Sequence, residues 1–427
     1  MKVVRLSLVI VATALLTIGL SAMANAFHSG GVAECEGCHS MHAPKASNYL
    51  LVGSDPSSTC LTCHEHAGDT GPSSYHISTA DADLGTGTAP LQRTPGGDFG
   101  WLKKTYNYTY TSGGETVSET EEGQTHGHNI VALDNNYVAD TTNTVSPGGS
   151  YSATDLGCAS CHDPHGQGRR LSDGSYATTG APIIASGSYH NSPTPGPGEA
   201  VGIYRLLGSP AYDAMDSVFT TYPIAISPSS YNRTEDTSQT RVAYGATGTN
   251  TWGNWCASCH QAMHSSGNYV HPVDESLGSD VATGYSNYVK SGDLSGNFGS
   301  VPGGGPYLSL VPFAENTGDF ALLANHANPA NNYLNGPGTS DKVMCLSCHR
   351  AHASGFLHGL RFDQGYEFMV KGGQYIGSDN PEISGSRAGA QHRGRTIAEW
   401  QAAYYDRPAT VFATYQRVLC NKCHAKD

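Results

Sequence analysis

The sequence of 427 residues is short of charge, of long apolar runs and of methionine. Only 14% of its residues are Asp, Glu, Lys or Arg, and Lys plus Arg number 23 against 36 for Asp plus Glu. A net charge of −13 argues against nucleic acid or an anionic membrane as partner and suits cationic proteins or oxidised metals. Beyond residue 20 no stretch is long and apolar enough to cross a bilayer. Beyond residue 26 the methionines are Met41, Met215, Met263, Met344 and Met369, so thioether sulfur is a scarce metal ligand. Sustained hydrophobic periodicity is also missing. Glycine (52) and proline (22) are abundant instead, which points to loops and an aliphatic core too small for the length.

No cysteine is left unexplained. Cys35-Glu36-Gly37-Cys38-His39 is a Cys-x-x-Cys-His motif, the attachment signature of a c-type haem. It recurs at Cys60/Cys63/His64, Cys158/Cys161/His162, Cys256/Cys259/His260, Cys345/Cys348/His349 and Cys420/Cys423/His424. Six motifs use all 12 cysteines. Disulfides give no reason for a histidine after every second cysteine, and zinc sites would group their ligands in fours. The expectation is six covalently bound haem c groups, with His39, His64, His162, His260, His349 and His424 as proximal iron ligands. Six buried macrocycles would supply the missing core. The predicted fold is mostly irregular coil with a few short helices, very little strand and a core of packed haems.

Residues 1–26 read as a secretory signal. Lys2 and Arg5 form a charged start, Leu6–Leu20 is apolar, and Ala24-Asn25-Ala26 fits cleavage before Phe27. Removal of two cations and no acid would leave a net charge of −15. The mature chain, 27–427, reads as one elongated domain, since a boundary would break the row of motifs. Three local expectations follow. Tyr106–Tyr110 alternates like a short strand, with turn or coil as the alternative. A short helix falls near Asp319–Asn325. Thr396-Ile-Ala-Glu399 is a capping box opening a helix that Pro408 interrupts and Thr410–Leu419 resumes.

Fourteen of the 20 histidines remain after the proximal six. The first, third and fifth motifs extend to Cys-x-x-Cys-His-x-x-His, adding His42, His165 and His352. Each is also preceded by a histidine: His28, His128 and His326. The chain therefore reads as three two-haem units, with these six as distal ligands. The alternative for each is a hydrogen bond to a propionate or to backbone. A histidine three residues past its own proximal ligand is blocked by the macrocycle from the far face of the same iron, so it would serve another haem and draw the two together. His66, His76, His264 and His271 stand in reserve. His126, His190, His358 and His392 are expected at the surface or behind the ligands.

Several segments go beyond shared haem motifs: AFHSGGVAECEGCH (26–39), HAGDTGPSSYHISTA (66–80), TPGGDFGW (94–101), GHNIVA (127–132), YNRTE (231–235), CLSCHRAHASGF (345–356) and LCNKCHAKD (419–427). Through them the mature chain resembles the OmcS-type six-haem outer-surface cytochromes of metal-reducing bacteria. The resemblance implies extracellular filaments with a continuous chain of bis-histidine haems, parallel-stacked pairs alternating with T-shaped ones. It implies electron exchange with other cytochromes, metal oxides or electrodes. It also implies that His42 crosses to the fifth haem of a neighbouring subunit, the haem whose proximal ligand is His349. The chain departs from the family in a shorter segment between the first two motifs, in divergent connectors at 200–225 and 270–340, and in His126, His190, His358 and His392, which fall outside family positions. Two other readings share the composition: a monomeric electron shuttle, and a multihaem reductase, which would need one iron left open. The motifs include no variant of the kind that marks an open iron.

Overall fold

The computed structural model describes residues 35–66, 76–165, 251–265, 272–287, 311–327 and 337–412, with the short pieces 169–171, 176–177, 183–185, 200–202, 207–208, 223–226 and 242–248 and positions 414, 416–418, 420 and 423. The segments read as signal peptide, His28, His190, His271 and His424 lie outside them.

Irregular chain dominates, with short helices and small separate sheets. Each cysteine pair is spaced for a single helical turn, in which residues i and i+3 share a face. Helices Cys35–Cys38, Cys158–Cys161 and Cys345–Cys348 are no longer than their motifs. Helix Pro56–His64 is longer because its start is well capped: the Asp55 carboxylate accepts the Ser58 N–H at 2.7 Å, and Pro56 stands in the first turn, where its missing N–H costs nothing. Helix Trp252–Cys256 opens on Thr251, whose hydroxyl accepts the Asn254 N–H at 3.1 Å.

The expected strand is half of a hairpin, Tyr106–Ser112 against Glu115–Glu121, joined through Gly113 and Gly114, both at positive φ. A three-stranded sheet of Ile224–Ile226, Ala243–Gly245 and Ala314–Glu315 is buried on both faces. Alternation divides its side chains. Ile224, Ile226 and Ala243 meet Phe320 and Leu323 of helix Phe320–Ala327. Ala225 and Tyr244 meet Trp252 and Met344 on the other side. Trp252 opens the fourth motif's helix and Met344 precedes the fifth, so this sheet holds the two motifs against each other.

A large apolar cluster lies toward the C-terminus and is rich in aromatic residues: Trp101, Phe356, Tyr375, Trp400, Tyr404 and Phe412 are all buried in it. Tyr375 and Tyr404 stack with centroids 5.3 Å apart. Helix Ile397–Ala403 begins at the expected capping box, with Glu399 N–H on Thr396 Oγ1 at 3.2 Å and Thr396 N–H on the Glu399 carboxylate at 2.9 Å. The expected helical continuation over Thr410–Leu419 is not formed among the described residues. After the short turn Ala409–Val411 the backbone pairs with a distant segment, Met369 N–H to Gln416 O at 2.8 Å and Val418 N–H to Glu367 O at 3.1 Å. Long-range pairing there overrides local helix propensity.

No helix among the described residues is long and apolar enough to cross a membrane.

Candidate functional site

None of the 12 cysteines is in a disulfide. Four motifs close in the same way: the histidine N–H returns to the carbonyl of the first cysteine, His39 to Cys35 at 2.8 Å, His162 to Cys158 at 2.9 Å, His260 to Cys256 at 3.1 Å and His349 to Cys345 at 2.9 Å. One short turn thus presents two sulfurs and an imidazole together.

The weak internal repeat of the sequence has a structural counterpart. In the first, third and fifth motifs the proximal histidine forms an isolated antiparallel bridge to a leucine: His39 to Leu51, His162 to Leu207, His349 to Leu360. The residue after that leucine donates its N–H to the second cysteine carbonyl, as in Val52 to Cys38 at 3.0 Å, Gly208 to Cys161 at 2.7 Å and Arg361 to Cys348 at 2.8 Å.

The motifs lie near one another in chain order. Cys38 is near Cys63, Cys60 hydrogen-bonds Cys158, Cys161 is near Cys259, Cys256 hydrogen-bonds Cys345, and Cys348 is near Cys420 and Cys423. Direct thiol contact at the second–third and fourth–fifth junctions alternates with looser approach at the others. Burial pushes the Cys161 and Cys348 thiols up to about 12, while hydrogen bonds from Cys60 and Cys256 lower those of Cys158 and Cys345.

Histidine rings face each other across these motifs. His39 and His165 have centroids 6.4 Å apart and planes within 7°. His162 and His352 stand 6.4 Å apart at 61°, and His128 and His260 stand 6.0 Å apart at 51°. A metal bonded at about 2 Å to two opposed imidazoles would hold the ring centroids roughly 6 Å apart. The spacing and the cysteine pairs of the adjoining motifs therefore fit haem iron.

The outer ring nitrogens support this. Nδ1 of His39, His128, His260 and His349 meets the carbonyls of Tyr49 at 2.7 Å, Ala351 at 2.6 Å, Pro147 at 2.8 Å and His358 at 2.9 Å. A carbonyl only accepts, so Nδ1 carries the hydrogen and Nε2 keeps the lone pair a metal needs. The chain packed around His128, together with the nearby His260, brings its imidazole down to about 4, so it is neutral at neutral pH. His326 offers Nδ1 to the Glu315 carboxylate at 2.6 Å, the same kind of outer support.

One backbone crossing positions two distal candidates. His352 N–H donates to Gly96 O at 2.7 Å, and His128 N–H donates to His352 O at 2.9 Å. Gly97 (φ 99°) and Gly127 both bridge Ala353, and a Cβ on either would collide with backbone of 352–353. Phe99 stacks on His352 at 4.6 Å.

The other histidines divide. His42 is exposed on the loop after the first motif. His76 is buried beside the second motif, where the next residue, Ile77, donates its N–H to His64 O at 2.8 Å. His66 lies in strand Glu65–His66, paired with Ser78–Thr79. His264 has Nε2 on the Asp274 carboxylate at 3.1 Å. His358 is exposed and His392 partly buried. His126 is not a surface residue: it is 0% exposed, with Nε2 on Glu121 at 2.8 Å and Nδ1 on Trp101 O at 2.9 Å. Its spacing from any motif carries no sign of this, because its partners are 5 and 25 residues away.

No family model matches the chain. It is 50% identical to the C-type cytochrome OmcS of Geobacter sulfurreducens across the full length of both. Among solved structures it is similar to the OmcS nanowires of that organism seen by cryo-EM, with a TM-score of 0.78 and 49% identity. It is also similar to the Outer Membrane Cytochrome S filament, with a TM-score of 0.79 and 50% identity. Each comparison covers 94% of this chain and 100% of the other. With its motifs, paired imidazoles and full-length identity, the chain belongs to the OmcS family of c-type cytochromes, which bind haem c covalently.

Proposed function

We propose that this chain is an exported six-haem electron carrier that polymerises head to tail into an extracellular conducting filament. The observation that carries the reading is the pairing of imidazoles at metal-bridging distance beside motifs that lie near one another in chain order. The 12 cysteines would hold six haems through thioethers, and the six motif histidines would bind iron from one side. Haem iron supplies reversible one-electron chemistry; the chain supplies ligands, spacing and insulation.

The facing rings support His165 as distal ligand of the first iron, His352 of the third and His128 of the fourth. Each then ligates a haem other than the one it follows, which ties neighbouring haems together. His42 is assigned to the fifth iron of the next subunit. Its exposure suits that role, as do the exposed apolar neighbours Met41 (82%) and Tyr49 (68%). His28 and His326 are left for the second and sixth irons. With two histidines on every iron no position is open to substrate, so the chain has electron partners and no catalytic residue. Those partners are other cytochromes and extracellular metal oxides or electrodes. Residues 1–26 act as the cleaved signal, and 27–427 form one elongated domain.

Replacing His42 with Ala tests the junction. The expected result is loss of filaments in cryo-electron microscopy, with one haem losing its low-spin signature. Normal filaments with an unchanged spectrum would refute the cross-subunit ligand.

A further inference from the structure

The first, third and fifth motifs share one local architecture, so their side chains can be compared position by position. The residue after the proximal histidine is Ser40, Asp163 and Arg350. The residue that donates its N–H to the second cysteine carbonyl is Val52, Gly208 and Arg361. The three matched sites thus carry a neutral pair, one carboxyl, and two arginines. Of the remaining motifs, the second is followed by Glu65, the fourth by Gln261 and the sixth by Ala425. Among the three matched sites, two cations beside one proximal histidine occur only at the fifth.

Both arginines are buried. Arg361 is 0% exposed and Arg350 2%. Arg361 Nε donates to Leu346 O at 2.6 Å and lies 3.2 Å from His349 O. Both carbonyls belong to the fifth motif, so the guanidinium is clasped to the loop that would carry the haem. Arg350 NH1 donates to Pro95 O at 3.2 Å, and its guanidinium lies 3.5 Å from the centre of the Tyr405 ring. The carboxyl nearest in sequence, Asp363, accepts the Gly365 and Tyr366 N–H groups at 2.8 and 3.0 Å and faces Arg393.

From this contrast we infer that Arg361 and Arg350 make the fifth haem the most easily reduced of the row, an electron well at the subunit junction. The inference rests on the six-haem reading above. Adding one electron turns ferric iron into ferrous and makes the site one charge more negative. A fixed cation that cannot lose its proton favours that product, and low local polarity strengthens the effect. Acidic neighbours at the second and third motifs act the other way. Arg361 and Arg350 are positioning residues for potential; neither is an iron ligand.

The test is spectroelectrochemical titration of the haem-loaded protein, comparing wild type with Arg361→Gln and Arg361→Lys. Haem content and low-spin spectrum are measured first. Loss of bis-histidine character in the wild type would overturn the haem reading itself. Given six low-spin haems, Arg361→Gln is expected to move the highest-potential component about tenfold toward the oxidised form, roughly 59 mV for one electron. Arg361→Lys should restore most of the shift. An unmoved curve, or a shift confined to the low-potential end, overturns the electron well. Should Arg361→Gln fail to take up haem, Arg350→Gln carries the same prediction and is refuted by the same outcomes.

Discussion

Glu121 is the residue whose loss should cost this fold most outside the haem motifs. Its carboxylate is 5% exposed and receives three cationic or donor groups. His126 Nε2 lies at 2.8 Å, Arg393 NH1 at 3.0 Å, and Arg395 NH2 makes a short ion pair with it. Arg395 is 1% exposed, with its guanidinium 4.1 Å from the centre of the Tyr106 ring. Burial alone would raise the carboxyl, but His126 and Arg395 more than offset it and hold it well below the usual carboxylate range. Glu121→Ala strands Arg395 as a buried charge, at a cost of about 3–5 kcal/mol. Glu121→Gln keeps the shape and one acceptor and should cost roughly 1.5–3 kcal/mol. A carboxyl depressed in the native state stabilises above its unfolded value, about 4.3, and loses that contribution as pH falls through the native value. The gap between wild type and Glu121→Gln should therefore narrow in acid. Urea unfolding followed by circular dichroism, near neutral pH and again in acid, measures both quantities. A Glu121→Ala variant within about 1 kcal/mol of wild type, or a gap to Glu121→Gln independent of pH, would refute the reasoning. The consequence reaches the paired imidazoles, since His126 O accepts the Ser354 N–H at 3.0 Å and His128 follows two residues on.

Two further outcomes are expected. Asp98 is buried and its carboxylate accepts four hydrogen bonds, from Thr79 N at 2.9 Å, Thr79 Oγ1 at 2.5 Å, Gln92 N at 2.9 Å and Gly100 N at 2.7 Å. Asp98→Ala leaves these donors unmet and should cost about 3 kcal/mol or more in the same urea assay, with Asp98→Asn intermediate; a cost below about 1 kcal/mol would contradict the assignment. His128→Ala should open a single iron to carbon monoxide in the reduced protein while the other haems stay low-spin. Carbon monoxide binding at none of them would remove His128 from the ligand set.

The covalent attachment chemistry was legible without a structure. Six Cys-x-x-Cys-His motifs with no cysteine left over is a one-dimensional pattern, because attachment needs only neighbours in sequence. The capping box at Thr396 and the helix ahead of His326 were legible for the same reason: caps and short helices are local. The three-unit repeat was visible only as histidine spacing; its bridging leucines at 51, 207 and 360 follow at different distances from the cysteines and carry no motif.

Pairing was decided in three dimensions. Which histidine faces which depends on crossings between segments hundreds of residues apart, as where His128 and His352 meet at Gly96 and Gly97. The aromatic cluster around Trp400, the burial of His126 and the failure of 410–419 to continue as helix are likewise tertiary. In each case a backbone or ring found a distant partner worth more than its local preference. Sequence alone determined the attachment motifs and their number; the tertiary structure decided which motifs lie near each other, which histidine rings face each other and where the buried charges lie, because those depend on distances through space that spacing along the chain does not encode.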